Sequence, residues 1–570
     1  MRSVDWIVLG LTLLSIVLYG VYKGRGSKNI RGYLLADKSM KWYTVALSIM
    51  ATQASAITFT STPGQAYADG MRFVQYYFGL PIAMVILCIT AVPIYHKLGV
   101  YTAYEYIENR FDVKTRTLTS VIFLVSRGLG AGMTIYAPSL VLSVMLGWNI
   151  FATSAVIGGA IIIYMTVGGA KSVNWADSQM LLIISVGMFA AFITTIILLP
   201  KEVGFSDALT VAGGMGRLNV LDFSFDLKNR YNFWSGIFGG LFIALAYFGT
   251  DQSQVQRYLT GQSVRQSRLG LLFNGMAKVP MQFFILLIGA MVFVFYQFER
   301  PPLFFNPVET AKIKSSAYEK DYQQLETEYD KAFAEKSDNV QQYLDAKRAG
   351  DNERIEATQA GLIAARNKAE SVRQKAVELL IKNNPAIDTS DTNYIFLSFV
   401  IKYLPAGLVG LIFACIFAAS MSSSSSELSS LATCTIIDVY KRHFKKDGNE
   451  KHYLVVSRVF TALWGLYAIL FAQYVSRLGS LIEAVNIIGS LFYGTLLGIF
   501  LLAFYVKSVG GTATFIAAFV GEAVVLYCFF FTDIAWLWYN VIGCVSLVLA
   551  ALLLNPLFPQ LTKKAPSIAR

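Results

Sequence analysis

Charged residues are scarce in this sequence, and their scarcity excludes an ordinary soluble protein. Asp, Glu, Lys and Arg make up 15% of the 570 residues, while hydrophobic residues make up 55%. A typical soluble domain has about 25% charged residues. Uncharged stretches long enough to cross a membrane recur along the chain. The sequence therefore predicts an all-α polytopic membrane protein.

Metal ligands and paired thiols are also few. The three histidines fall in predicted loops, and the five cysteines form no CxxC pair. We therefore expect no metal centre, no disulfide framework, no cofactor and no enzyme activity. The net charge of +12 comes largely from Lys and Arg in short loops between apolar runs, where such residues set membrane orientation. It indicates a bilayer and not a nucleic-acid partner.

Thirteen spans are predicted, and the first is a retained span because it lacks a signal-peptide cleavage site. Lys and Arg are concentrated in the loops that follow odd-numbered spans. This bias predicts a cell-membrane protein, plasma or inner membrane, with its N-terminus outside and its C-terminus in the cytoplasm. The predicted spans are 4–22, 42–68, 73–95, 115–147, 150–168, 175–200, 232–256, 268–298, 391–439, 452–474, 479–505, 511–530 and 534–555.

The segment 306–390 interrupts this pattern because it is highly charged and rich in strong helix formers. The letters AGDN at 349–352 are typical of a turn, so we predict an extracytoplasmic helical hairpin. It divides the chain into a first membrane part (1–305), the insert (306–390) and a second membrane part (391–570). The hairpin is either a solvated insertion without a role in function or a docking site for an unidentified partner.

Two predicted spans carry breaks. The second contains Pro63 and Gly64 among hydroxyl residues, and the seventh contains Gly249, Thr250 and Asp251. Broken helices persist at membrane depth only where they line a cavity or bind something. A matched pair of them indicates a transporter built from inverted repeats. Spans 2–6 and 7–11 would then form two five-helix repeats, unless both breaks are ordinary kinks.

The ninth span contains FAASMSSSSSELSS at 417–430, which puts five consecutive hydroxyls and an acid into an apolar helix. Small hydroxyl residues allow helices to pack closely, which explains some of these serines. Hydroxyl and carbonyl oxygens are also ligands for hard cations. Ala419, Ser422 and Ser423 share one helical face, and Ser422, Ser425 and Ser426 share another. Asp177 is predicted where span 6 begins. Its carboxylate either completes a cation site with the second serine face or stabilises the start of a helix.

The sequence resembles the sodium/solute symporter family over almost the whole chain outside the insert. The motifs that carry the resemblance are YTAYEYIENRF (101–111), GGAKSVNWADSQM (168–180), GTDQSQVQRYL (249–259) and the long stretch 404–442 around the serines. The motifs YAPSLVLSVMLG (136–147) and TPGQAYADG (62–70) are most similar to the branch that carries monocarboxylates, vitamins and iodide. The resemblance implies a five-plus-five inverted-repeat fold of the LeuT type.

The resemblance also implies two sodium sites. The main site would use carbonyls and hydroxyls of Ala51, Ala54, Ala419, Ser422 and Ser423. The second site of some members would correspond to Asp177, Ser422, Ser425 and Ser426.

Substrate residues are implied near the break of span 2, at Thr58, Tyr77, Ala244 and Tyr247. Sugar carriers have Gln, Glu and Asn at the positions of Thr58, Tyr77 and Ala244, which argues against a hexose. Two intramembrane cations, Arg127 and Lys278, favour an anionic substrate unless each is paired elsewhere.

The sequence therefore predicts a sodium-coupled symporter of a small organic solute, with sodium and the bilayer as its other partners. The alternatives are a symporter for a sugar, sialic acid or an amino acid on the same scaffold. A passive channel or a sensor is a more distant alternative.

Overall fold

The structure, a computed structural model, describes residues 2–24, 30–385, 387–477 and 479–558. Regular structure in these ranges is helical, with one isolated bridge between Met40 and Gly261. Two π-helical segments, Ser235–Gly239 and Thr435–Phe444, adjoin α11 and α18. The α-helices are α1 Ser3–Gly24, α2 Ile30–Leu35, α3 Trp42–Gln53, α4 Ala56–Asp69, α5 Leu80–Ile89, α6 Ala91–Leu98, α7 Ala103–Arg110, α8 Val113–Leu146, α9 Ile150–Ile197, α10 Phe205–Gly214, α11 Gly240–Gly249, α12 Gln252–Leu259, α13 Val264–Phe298, α14 Pro307–Ile313, α15 Glu319–Ala349, α16 Asn352–Asn383, α17 Thr392–Tyr403, α18 Leu408–Cys434, α19 Glu450–Phe471, α20 Leu481–Tyr505, α21 Gly511–Phe531 and α22 Leu537–Leu554.

Ten helical segments within the described ranges are long and apolar enough to cross a membrane. The chain is thus a multi-pass membrane protein, as predicted. The ten correspond to predicted spans 1, 3, 4, 6 and 8–13. The other three predicted spans, at 42–68, 150–168 and 232–256, consist of shorter helices or part of a longer one. The count of thirteen and the pattern of repeats stay predictions, and so does the orientation. The C-terminal tail from residue 559 lies outside the described residues.

Two predicted span boundaries differ in the structure. The separate spans 150–168 and 175–200 are one continuous helix, α9. This helix is bent. The Tyr164 hydroxyl and the Ala176 Cβ both lie beside Gly20 of α1, each within 3.4 Å of the position that a Cβ on Gly20 would occupy. In a straight helix the two residues would be about 18 Å apart along the axis, too far for their side chains to reach one point. The predicted span 391–439 is instead α17 followed by α18, divided around Gly407, whose φ is +85°.

The central element of the bundle is α18, which is buried along most of its length. It packs against α1, α3, α4, α8, α9, α12 and α19. Asp5 of α1 fixes its start, because the Asp5 Oδ1 accepts hydrogen bonds from the backbone amides of Gly407 at 2.6 Å and Gly410 at 3.3 Å. The first helix thereby positions the serine-rich helix.

Segment 306–390 forms a hairpin of two long helices, α15 and α16, that turn at Gly350, where φ is +71°. The hairpin does not stand free of the other helices. Near its tip, Arg348 pairs with Asp207 of α10 at 2.9 Å, and Gln359 donates to the Gly214 carbonyl at 2.9 Å. Halfway along, Lys336 donates to the carbonyl of Tyr296 at 3.4 Å, at the end of α13. The hairpin is therefore not exposed on all sides, because it contacts α10 and the end of α13.

The base of the hairpin is held by an ion pair between Arg373 of α16, which is partly buried, and the buried Asp391, which precedes α17. Their charged atoms are 2.5 Å apart. Asp391 also accepts a hydrogen bond from the backbone amide of Phe305 at 2.7 Å. Burial lowers the pKa of Arg373, but Asp391, together with Glu370 and two neighbouring tyrosines, raises it above its ordinary value. The pair thus joins the insert to the second membrane part.

Loss of this pair should destabilise the protein. Arg373→Leu would leave Asp391 buried without its cation, and we expect the free energy of unfolding to fall by about 3 kcal/mol. Adding Asp391→Asn should restore most of that loss, because the amide oxygen can still accept from Phe305. The measurement is unfolding of the purified protein in detergent.

The matched control is Lys375→Leu on the same helix. Lys375 pairs with Glu328, but both side chains are about half exposed, and such pairs contribute less than about 1 kcal/mol. Equal losses in Arg373→Leu and Lys375→Leu would contradict the assigned role of Arg373.

Candidate functional site

The first helix break lies at Ala54 and Ser55, between α3 and α4. The sequence predicted it at Pro63 and Gly64, and that position is wrong, because both residues lie inside α4. Gly64 serves close packing there, since a Cβ on it would collide with the Thr392 backbone of α17. A helix end leaves the carbonyls of its last turn without helical partners. Ala51 and Ala54 belong to that end, and both are fully buried.

The second break lies at Thr250 and Asp251, between α11 and α12, as predicted. Asp251 starts α12 by accepting a hydrogen bond from the backbone amide of Ser253 at 2.8 Å. Both broken segments contact α18, since α3, α4 and α12 pack against it. The two breaks and the serine run therefore belong to one region of the bundle.

The serine hydroxyls of α18 are buried and only partly satisfied. Ser423 donates to the Ala419 carbonyl and Ser425 to the Ser422 carbonyl, each at 2.9 Å. The hydroxyls of Ser426 and of Thr52 on α3 form a hydrogen bond of 2.9 Å beside the first break. The Ser422 Oγ has no hydrogen-bond partner among the described residues. Ser422 lies close enough to Asp177 to interact with its carboxylate, and its oxygen lone pairs can bind a cation.

Asp177 lies in the interior of α9 and is fully buried. This position rules out the alternative of a helix-start acid. The Ser48 hydroxyl of α3 donates to Asp177 Oδ2 at 2.6 Å. Ser422 and Arg257 both lie close enough to act on the Asp177 carboxylate, yet Asp177 Oδ1 has no hydrogen-bond partner within the described chain. The structure therefore brings Asp177 to Ser422, while Ser425 and Ser426 bond elsewhere.

Arg127 of α8 is not a free cation. It pairs with Glu427 of α18 at 3.0 Å and with Asp251 at the second break. The Tyr493 hydroxyl of α20 lies 2.5 Å from Arg127 Nη2 and donates to Asp251 Oδ2 at 2.9 Å. Thr134 donates to the other Glu427 oxygen at 2.7 Å. The expectation that Arg127 binds substrate is not supported in this structure, because its charge is already met by two acids.

This buried network, which we call the Arg127 triad, consists of Arg127, Asp251 and Glu427. It connects α8, the second break and α18. Removing a partner from a buried ion pair typically costs about 3–5 kcal/mol, because the other charge is left uncompensated. The triad therefore holds the broken segment against two long helices.

Lys278 of α13 contrasts with Arg127. Its side chain is fully buried, and its Nζ has no hydrogen-bond partner in the part of the chain that is described. It lies over the ring of Tyr77, whose centroid is 5.7 Å from Nζ. A buried group of this kind costs stability unless a ligand or water satisfies it. Lys278 therefore remains the candidate for binding an anion.

The other predicted substrate residues lie on α4, on α11 and just before α5. Thr58 is buried on α4, one turn beyond the first break, and Tyr77 is buried next to α5. Tyr247 and Ala244 are on α11, before the second break. Tyr247 accepts a hydrogen bond from Gln254 Nε2 at 2.8 Å, and its ring lies 5.4 Å from the Arg127 guanidinium.

A second ion cluster lies at the far end of α18. Arg116 pairs with Asp438 and with Glu108, each at 2.6 Å, and Arg442 pairs with Glu108 at 2.6 Å. Burial would raise the pKa of Glu108, but hydrogen bonds from the two arginines lower it below its ordinary value. The cluster fixes α7 to the ends of α8 and α18.

Several residues of the site were not found in the sequence. Ser48 and Tyr493 have no local signal, because their roles depend on packing between distant helices. Asn274 and Gln282, in contrast, flank Lys278 at intervals of four residues in the middle of α13. That helical spacing was visible in the sequence and could have revealed them.

Known proteins are similar to this chain over most of its length. The family model "Sodium:solute symporter family" matches residues 33–320 and 378–521. Sodium-coupled monocarboxylate transporter 1 of Xenopus laevis is 26% identical over 92% of this chain and 71% of its own length. The sodium-dependent multivitamin transporter of Oryctolagus cuniculus is 27% identical over 88% and 66%. The sodium/sialic acid symporter NanT of Aliivibrio fischeri is 25% identical over 98% and 94%.

A solved structure shows the same fold. It is the substrate-bound, outward-open state of a Na⁺-coupled sialic acid symporter. The TM-score is 0.75 at 24% identity, and the match covers 98% of both chains. The similarity places the helices of this chain in a LeuT-like transporter fold.

The Arg127 triad should respond to mutation as one unit. Arg127→Met would leave two carboxylates buried without a cation, and we expect the free energy of unfolding to fall by about 3–5 kcal/mol. The triple variant Arg127→Met, Asp251→Asn, Glu427→Gln should recover most of the loss, since both amides keep an acceptor oxygen. Unfolding in sodium-free detergent measures both. A triple variant that is less stable than Arg127→Met would contradict the pairing.

Proposed function

Because the chain belongs to the sodium:solute symporter family, we propose that it imports a small organic anion together with sodium by alternating access. The family and the relatives are transporters and not enzymes. The main support for this proposal is the contact between the first helix break and the serine-rich part of α18. Thr52, beside the break, forms a hydrogen bond with Ser426 of α18. We propose that the protein lies in the cell membrane, with its N-terminus outside.

The main sodium site is proposed between the end of α3 and the middle of α18. Ala51 and Ala54 supply carbonyls there. Ala419, Ser422 and Ser423 supply a carbonyl and two hydroxyls. All five are buried, and oxygen ligands suit a hard cation such as sodium. The free Ser422 Oγ supports this assignment.

A second sodium site is proposed at Asp177, with Ser422, Ser425 and Ser426. The free Asp177 Oδ1 and its proximity to Ser422 support it. Ser425 and Ser426 already form hydrogen bonds with the Ser422 carbonyl and with Thr52, and their oxygen lone pairs can still bind a cation. Ser48 already bonds the carboxylate, so we add it to the residues that orient Asp177.

The proposed substrate is an anion held by Lys278, near Thr58, Tyr77 and Tyr247. Lys278 is the observation that favours an anion, because its charge has no partner in the described residues. A neutral sugar would leave that charge unpaired. Relatives named for monocarboxylates and for sialic acid fit this chemistry equally well.

Two sodium ions would provide the driving force for accumulation. Each charge that moves inward down 100 mV contributes about 2.3 kcal/mol. A monovalent anion costs one of these charges, so two ions leave one net charge to drive uptake. Uptake that depends on a sodium gradient distinguishes the proposed symporter from a channel or a sensor.

Sodium should stabilise the folded protein, and the effect should depend on Ser422 and Ser423. A ligand at a hundred times its dissociation constant adds about 2.7 kcal/mol. Ser422→Ala with Ser423→Ala removes two ligands and should abolish most of the sodium-dependent rise in melting temperature. The control is Ser424→Ala with Ser430→Ala, which removes two buried hydroxyls of α18 outside both sites. Equal sodium protection in the two double variants would show that the main site is misplaced.

Asp177 should determine the number of sodium ions and not whether transport occurs. Asp177→Asn removes the charge that a second cation requires, while the main site has no carboxylate. We expect about one fewer charge per substrate, and accumulation weaker by roughly tens of fold, as 2.3 kcal/mol implies. Charge and substrate flux in proteoliposomes give the ratio. An unchanged ratio would mean that a single sodium ion drives transport.

A further inference from the structure

Three polar side chains form a line along one face of α13. Asn274, Lys278 and Gln282 are four residues apart, and all three are fully buried. Each has at least one atom without a hydrogen-bond partner in the described chain: Asn274 Oδ1, Lys278 Nζ, and both Nε2 and Oε1 of Gln282. We call these three residues the α13 polar stripe.

The stripe lies beside the proposed substrate region. Lys278 faces the Tyr77 ring, and Asn274 Nδ2 donates a weak hydrogen bond to the Met84 sulfur of α5, at 4.0 Å. Helix α13 also packs against α3 and α4, on both sides of the first break. Eight residues of helix span about 12 Å. The stripe thus offers binding groups over a length greater than that of a two- or three-carbon acid.

We propose that the α13 polar stripe selects a carboxylate that carries hydroxyl or amide groups along its length. This inference rests on the proposed function, since it names the class of anion that the symporter carries. Lys278 binds the carboxylate, and Asn274 and Gln282 bind neutral polar groups on either side of it. The two amides suit such groups because each offers both donors and acceptors.

Other classes of solute fit the stripe less well. A halide or a short monocarboxylate would reach Lys278 alone and leave both amides without partners. A dianion would need a second cation beside Lys278, but Arg127 is paired with Asp251 and Glu427, and Arg257 lies beside Asn174 and near Asp177. Sites built to hydrogen-bond a substrate hydroxyl reject the analogue without it by large factors, of the order of 10⁴–10⁵ at best.

The test compares acids of matched carbon number with and without hydroxyl groups. Gluconate is paired with hexanoate, and lactate with propionate. N-acetylneuraminate and galacturonate extend the hydroxylated set. Competition binding to the purified full-length protein, with saturating sodium, gives the affinities. We expect at least one six-carbon or larger hydroxylated acid to bind more than tenfold tighter than hexanoate. Lactate should gain little over propionate, because it is too short to reach both amides.

Variants of the stripe identify which residue binds the carboxylate and which residues bind the hydroxyl groups of the solute. Asn274→Leu and Gln282→Met should weaken binding of the preferred hydroxylated acid about tenfold or more and change that of hexanoate by less than threefold. Lys278→Met should weaken both acids. Gln297→Met is the matched control on α13, because Gln297 is also a buried amide but lies about 28 Å along the helix from Lys278. It should change neither. Should a variant fail to fold, Asn274→Ser and Gln282→Ser replace it.

The outcomes separate this inference from the proposed function. If every acid binds only with sodium, but hexanoate or propionate binds as tightly as any hydroxylated acid, the stripe does not select hydroxyl groups and the symporter proposal stands. The inference is equally wrong if Asn274→Leu and Gln282→Met weaken all acids alike. If no acid of either kind shows sodium-dependent binding or uptake, the proposed function itself fails.

Discussion

The hydrocarbon interior of a membrane cannot form hydrogen bonds with the N–H and C=O groups of the backbone. The architecture of this protein follows from that constraint. A broken helix can exist at membrane depth only if protein surrounds the freed groups. The breaks at Ala54 and Thr250 both lie against α18, the most deeply buried span. The other long helices enclose this centre and expose their apolar faces outward. The same freed oxygens that would be costly in lipid become ligands for a cation.

Buried charge is arranged in two contrasting ways near the breaks. Arg127 is fully committed to Asp251 and Glu427, so it stabilises the second break and leaves no charge for a solute. Lys278 and Asp177 retain unpartnered atoms, which is costly for folding but useful for binding. The difference between satisfied and unsatisfied groups thus separates residues that hold the helices together from residues that can hold a ligand.

Much of the architecture could be predicted from the sequence, because it depends on local pattern. Apolar length revealed the ten long membrane segments, and the GTD triplet located the second break. The first break could not be placed, because Pro63 is accommodated within α4 and the chain instead opens at Ala54, where no proline or glycine stands. Likewise, the sequence showed that Arg127 is intramembrane but not that two acids from distant segments face it. Partners separated by hundreds of residues are decided by packing, and a single sequence does not show them.

The hairpin of α15 and α16 can also be considered as a mechanical element. Its base is fixed by the largely buried pair of Arg373 and Asp391, while its tip is attached to α10 by the more exposed pair of Arg348 and Asp207. A force that separates α10 from α17 would break the weaker, solvated contact first. The hairpin is therefore held firmly at its base and only weakly at its tip, so its tip can separate from α10 while its base stays attached to α17.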